Sequence, residues 1–249
     1  MKKSVKIISV IVACLLAIGV FAACGKKEEA KVLTLATSAD FPPYEYVEGD
    51  KIVGIDAEVA GLIAEKLGMK LEIKDVEFKT IIPGVQQGKY DIGMAGITVD
   101  EDRLTKVNFT DSYATGVQVV IVKEDSAIQT IDDLDGKKIG VQEQTTGDIY
   151  CSDDYGEDNV IKYDNAAAAI EALKAGKIDC VVVDNEPAKN FVAANTGIKI
   201  LKTEYAVEDY AIAVAKENTA LQEQVNKALA ELKADGSLQK VVDKYIPAE

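Results

Sequence analysis

The chain has 249 residues, 48% hydrophobic and 28% charged, with a formal net charge of −14 and no histidine or tryptophan. That length and composition describe a globular chain of one large domain or two smaller ones, and exclude a disordered one. The missing histidine removes imidazole triads, imidazole zinc sites and the usual general base, and the acidic balance lacks the basic footprint of a nucleic-acid binder.

The first two dozen residues read as a secretory signal. Lys2, Lys3 and Lys6 form a basic start, and residues 7–23 are apolar apart from Ser9. The run ends in small residues before Cys24, similar to the box at which bacterial lipoproteins are cleaved and lipidated, with Phe21 where leucine is usual. The expected mature chain therefore starts at a lipidated Cys24, with residues 24–30 as a tether and the protein held on the outer face of a membrane. Plain cleavage without lipid is the alternative. Removing the leader takes away three lysines and no acid, which moves the net charge from −14 to −17. Cys180, in the strand-like DCVVVD, reads as a small buried hydrophobe, and a bridge to Cys151 has no support in the pattern.

From Lys31 onward short apolar strands alternate with amphipathic helices, the signature of an α/β fold. VLTLAT (32–37) is a predicted strand. IDAEVAGLIAEKL (55–67) has helical apolar spacing and stops at Gly68. KLEIKDV, a helical FKTIIPGVQQG and a strand YDIGMAG follow. Further on, KKIGVQ, NAAAAIEALKAG, IDCVVVD and PAKNFVAANTG repeat the alternation. Residues 219–246 read as two helices broken at Gly236. The acidic DDYGED (153–158) lacks the regular acid spacing of a calcium loop and reads as solvated.

Two segments echo one another. Residues 81–96 and 169–184 both run helix, Gly-Lys-x-Asp, short apolar strand, and the alignment sets Gly96 opposite Asp184. Ligands in open parallel sheets bind at the carboxyl ends of strands, so two such units imply two similar lobes facing one cleft. Thr98-x-x-Glu101 has capping-box spacing and predicts a helix start at Thr98. Arg103, just beyond it, is the only arginine of the chain. Its planar fork suits a bidentate grip on a carboxylate, while pairing with a neighbouring acid is the plainer alternative. Asp184, directly after an apolar strand, supplies the opposite charge or else caps the next helix. Thr145, Thr146 and Gly147 open a helix whose backbone N–H groups can meet the same carboxylate.

The segments TSADFPPYEY, GIDAEVAGLIAEKLG, EFKTIIPGVQQGKYDIGMAGITVDEDR, VNFTDSYATG, DLDGKKIGVQEQTTGDIY, KIDCVVVDNEPA and ALAELKADGSLQKVVDKY resemble, in order, the amino-acid-binding proteins of ABC importers, extracellular solute-binding protein family 3. The resemblance implies a two-lobed, periplasmic-binding-protein-like type II fold. Each lobe is then a mixed, mostly parallel sheet flanked by helices, and two hinge crossings fall near 113–117 and 206–210. Residues 31–115 with 209–249 would form a discontinuous first lobe and 116–208 the second. The implied protein is a monomer that closes on a free L-amino acid, polar or cationic, and delivers it to a membrane permease and its ATPase. No cofactor, metal or catalytic residue is implied. By motif, Arg103 with the backbone N–H groups of Thr98 and Thr146 would hold the α-carboxylate. Asp184, the Gly96 carbonyl and the Thr98 hydroxyl would hold the α-ammonium, and Phe41 and Phe78 would sandwich the side chain.

Ser38 stands where histidine- and glutamine-binding relatives have aspartate, and Gln142 where relatives have leucine or lysine. Glu45, Asp56 and Glu143 are the acids left to meet a ligand side chain. Two other readings stay open: a sensing lobe that signals to a receptor, and an enzyme resembling cyclohexadienyl dehydratases on the same fold.

Overall fold

The computed structural model describes residues 31–247, so the signal, the Cys24 lipidation site and the tether lie outside the described residues. The described residues open with a strand next to the edge of the first sheet. Strand β1 (Val32–Thr37) runs parallel to β5 (Lys70–Asp75), from Val32 opposite Lys70 to Thr37 opposite Asp75. Between them lie a three-stranded sheet of β2 (Asp40–Phe41), β3 (Glu45–Glu48) and β4 (Lys51–Val53), and helix α1 (Ile55–Lys66). Ile55, Val59, Ala60 and Ile63 recur at helical spacing and are all fully buried, which fixes the face α1 turns to the sheet. The valine and each isoleucine contribute about 1.5–3 kcal/mol through burial.

After α2 (Ile81–Gln86) the chain forms β6 (Ile92–Gly93), then α3 (Glu101–Lys106) and β7 (Val107–Phe109). Strand β13 (Ala213–Ala215) returns late in the sequence to lie antiparallel between β6 and β7, giving the order β5-β1-β6-β13-β7. The predicted strand YDIGMAG is thus only two residues long. Asp91 is spent on Thr34, and the Gly96 N–H turns away to Asp56, so the chain leaves the ladder at Met94.

The second sheet has the order β10-β9-β11-β8-β12. Its strands are β8 (Ala114–Lys123), β9 (Ile139–Gln142), β10 (Val160–Tyr163), β11 (Cys180–Asp184) and β12 (Ile198–Tyr210). Helices α4 (Thr146–Tyr155), α5 (Ala166–Lys174) and α6 (Asn185–Ala194) connect them. Strands β9, β10 and β11 are parallel, and β8 is antiparallel to both β11 and β12. Residues 153–158 finish α4 and enter a short 3₁₀ turn. Cys151 and Cys180 are buried free thiols.

The two echoing segments occupy the central strand of each sheet. Gly88 and Gly176 both take left-handed backbone, with φ of 70° and 71°, which the tight helix-to-strand turn requires and a Cβ would oppose. Asp91 accepts from the Thr34 N–H at 2.7 Å, and Asp179 from the Lys138 N–H at 2.8 Å. Each aspartate therefore ties its turn to the neighbouring parallel strand in the same way. The result aims Gly96, just past one central strand, and Asp184, the last residue of the other, at one cleft.

The chain passes between the sheets twice, through residues 110–113 and through Ala211 and Ile212. Helices α7 (Thr219–Ala234) and α8 (Ser237–Tyr245) return to the first lobe against α1, where the Tyr245 hydroxyl accepts from the Gly54 N–H and Lys66 pairs with Glu231.

Candidate ligand-binding site

Helix α3 carries the arginine that the composition singles out. Its N-cap is Asp100, whose side chain accepts from the Arg103 N–H at 2.8 Å. The expected cap at Thr98 is therefore corrected: the Thr98 hydroxyl is drawn away to Glu208, and the acid two residues later takes its place. Asp100 also stands 3.0 Å from Arg103 Nε, so the plainer pairing is present too. The guanidinium is buried and lies 5.6 Å from the Phe78 ring centre. Nη1 donates to the Thr98 carbonyl at 2.8 Å and Nη2 to the Gln144 carbonyl at 2.9 Å. One N–H on each η nitrogen remains, which is the fork a carboxylate takes.

Gln144 is the one non-glycine with positive φ among the described residues, at 67°. This left-handed turn aims its carbonyl at Arg103 and leads into α4, where the Thr145 side chain caps the Asp148 N–H and Thr146 is the first helical residue. The N-terminus of α4 thus faces the same place as Arg103, and both favour an anion there.

Asp184 ends β11 at the N-cap position of α6, yet its side chain makes no capping bond. It accepts instead from the Tyr210 hydroxyl. Burial pushes its pKa up to about 7, against the Tyr210 hydrogen bond, with the nearby Glu208 charge adding to the rise. Gly96 gives its N–H to Asp56 at 3.0 Å, and the Tyr113 hydroxyl donates to the same oxygen at 2.8 Å. Burial raises Asp56 to about 6, opposed by those two hydrogen bonds.

One pocket is lined by Ser38, Phe41, Phe78, Gly96, Thr98, Arg103, Gln142, Thr146 and Asp184, together with Asp40, Glu45, Ala95 and Thr145. All nine residues singled out in the sequence come together in its wall. Phe41 also belongs to the core and stacks on Tyr44, with ring centres 5.9 Å apart. Ser38 donates to Asp40, and the Gln142 amide donates to the Asp164 carbonyl at 3.3 Å. Of the three other acids, Glu45 lies in the wall, Asp56 is buried behind it, and Glu143 sits at the rim bonded to Lys79.

Glu45 is 1% exposed, no N–H group reaches its carboxyl, and its side chain lies against the Asp56 carboxyl, which favours its protonated form. Burial holds its pKa well above the usual carboxylate range, and the charge of Asp56 adds to the rise. Among the lining residues Arg103 is the one cation, against the acids Asp40, Glu45 and Asp184. Among the described residues no group of acids or cysteines forms a metal centre. Asp40 and Ala95 were missed in the sequence, although they adjoin Phe41 and Gly96, which were found.

A family model for bacterial extracellular solute-binding proteins, family 3, matches residues 33–248. The arginine-binding extracellular protein ArtP of Bacillus subtilis (strain 168) is 30% identical over 235 residues, covering 90% of each chain. The ABC transporter arginine-binding protein 1 of Escherichia coli (strain K12) is 32% identical over 224 residues, covering 88% of this chain and 92% of that one. Among solved structures, an ancestral arginine-binding protein bound to glutamine superposes with a TM-score of 0.83 at 39% identity, over 89% of this chain and all of that one. The arginine-, lysine-, histidine-binding protein ArtJ of Geobacillus stearothermophilus gives a TM-score of 0.84 at 29% identity, over 88% and 96% of the two chains. On this match the chain belongs to the bacterial extracellular solute-binding proteins, family 3.

Proposed function

We propose that the protein binds a free cationic L-amino acid, arginine foremost, in this pocket and delivers it to an ABC permease and its ATPase. The observation that carries the reading is Glu45, a buried carboxyl in the pocket wall that meets another carboxyl, Asp56, and no basic side chain. A zwitterion matches Arg103 with its carboxylate and Asp184 with its ammonium, and leaves Asp40 and Glu45 without a basic partner. A guanidinium or second ammonium on the ligand supplies one and favours their ionised forms. The arginine-binding relatives support the same choice.

In this reading Arg103 and the N–H groups of Thr98 and Thr146 take the α-carboxylate. Asp184, the Gly96 carbonyl and the Thr98 hydroxyl take the ammonium, and Phe41 and Phe78 flank the aliphatic stem. Hinge motion at the two crossings closes residues 116–208 against 31–115 with 209–249, and the permease reads the closed form. The relatives are solute-binding proteins, which supports binding without chemistry. The leader and Cys24 fit a monomeric lipoprotein on the outer face of the membrane.

Titration calorimetry of the residue 24–249 protein against the free amino acids tests this. Arginine or lysine should bind most tightly, Arg103→Lys should lose most of that affinity, and Glu45→Gln should weaken arginine at least tenfold more than glutamine. Tighter binding of an apolar or acidic amino acid would overturn the reading.

A further inference from the structure

Strand β12 places two polar side chains behind the ammonium end of the pocket. Glu208 and Tyr210 are two residues apart and so project from the same face of the strand. Tyr210 donates its hydroxyl to Asp184. Glu208 accepts the Thr98 hydroxyl at 3.2 Å and the Gln118 amide N–H at 3.0 Å, both on the same oxygen. Glu208 and Thr98 are each only 5% exposed, and the second Glu208 oxygen is buried without a partner. Glu208 is not among the residues that line the cavity. The segment carrying Thr98 is stitched to the same stretch of chain by a bridge between Thr98 and Tyr210 and by the Val99 N–H on the Asp209 carbonyl.

A hydroxyl has one proton to give. With that proton committed to Glu208, Thr98 can only accept on its pocket side. Tyr210 gives its proton to one Asp184 oxygen, so that oxygen likewise only accepts. We propose that Glu208 is a positioning residue that fixes Thr98 as an acceptor, and so makes the site select an α-ammonium over an α-hydroxyl or α-keto group on the same carbon skeleton. An ammonium supplies three donors and needs acceptors all round. A hydroxyl supplies one donor, and its remaining lone pairs meet acceptors. This rests on reading the pocket as an arginine site, with the ammonium at this end.

The test compares arginine with its 2-hydroxy analogue, which keeps the carboxylate and guanidinium, by calorimetry on wild type and on Glu208→Leu. Glu208→Leu removes the acceptor, frees the Thr98 proton to point into the pocket, and should lower the arginine-to-analogue affinity ratio about tenfold, the scale of one hydrogen bond to a charged group. Glu208→Gln keeps an acceptor oxygen in place and should hold the ratio within about threefold of wild type. An unchanged ratio in Glu208→Leu, or an equal loss for both ligands, overturns the proposal by making Glu208 merely structural. A loss in Glu208→Gln as large as in Glu208→Leu overturns it too, because charge and not acceptance would then be the cause. If Glu208→Leu does not fold, Thr98→Val carries the test: it removes the hydroxyl itself and must lower the ratio, and an unchanged ratio sinks the proposal. Should wild type bind neither ligand, the arginine reading has failed instead, and the two failures are told apart.

Discussion

At the residue scale the pocket and the shell behind it hold buried carboxyls. Asp184 and Asp56 sit at about 7 and about 6, chiefly because burial penalises their charged forms. Both values lie above the 3.8 of an unperturbed aspartate, so between about pH 4 and 7 the folded protein holds protons that the unfolded chain has released. The stability this contributes is complete below the unfolded value and is lost as pH rises through the folded ones, at about 1.4 kcal/mol per pH unit for each proton. Ligand binding runs the other way, because an ammonium needs Asp184 ionised and must displace its proton. Melting curves between about pH 5 and 8 should therefore show the unliganded protein losing stability while the arginine-induced shift grows. A shift that is largest at the acid end contradicts the assignment of Asp184. Arg103 and Asp184 were legible in the sequence because each breaks a local pattern: a lone arginine among lysines, and an acid closing an apolar strand. Glu208, Tyr210 and the turn at Gln144 were not. Their roles depend on a strand about a hundred residues from Thr98 and on a left-handed turn that no glycine announces.

At the element scale the site depends on how closely β8 and β12 can approach. Glu208 stands opposite Gly116 in their antiparallel register, and a Cβ built on Gly116 would lie 2.2 Å from the Tyr210 hydroxyl oxygen and 2.3 Å from its ring carbon. The missing side chain makes room for the aromatic ring whose hydroxyl serves Asp184. Gly116→Ala should cost about 1–3 kcal/mol by overpacking and push that hydroxyl off Asp184. Denaturant melts should show the lower midpoint, and calorimetry a loss of arginine affinity beyond about tenfold. Lower stability with wild-type affinity would separate Tyr210 from the site. The long helices and most strands were readable because helical apolar spacing and short apolar runs survive in any context. The start of α3 was not, because Thr98 and Asp100 are both good caps. The choice fell to Asp100 when Glu208, remote in sequence, claimed the Thr98 hydroxyl.

At the scale of the molecule, polar contacts bridge the two lobes. Arg103 reaches the Gln144 carbonyl, the Asn190 amide reaches the Pro42 carbonyl at 3.3 Å, and Lys79 Nζ lies 2.8 Å from Glu143 and 3.3 Å from Asp164. The echo between residues 81–96 and 169–184 foretold two lobes, but no pattern in the sequence could pair Lys79 with acids more than sixty residues away. Lys79 and Glu143 adjoin the pocket residues Phe78 and Gln142 without lining the pocket, so their pairing forms when the lobes meet and not when a ligand is chosen. Each partner is partly exposed, and such pairs are weak and screened by salt. Lys79→Ala should therefore weaken every ligand by the same modest factor, about two- to fivefold, by lowering the closed population. The loss should appear mainly as faster dissociation in stopped-flow traces. It should vanish near 1 M salt, where the screening length falls to about 3 Å. A loss confined to one ligand would move Lys79 into the recognition site, and a loss that persists in high salt would mean that it holds the lobes by packing and not by charge.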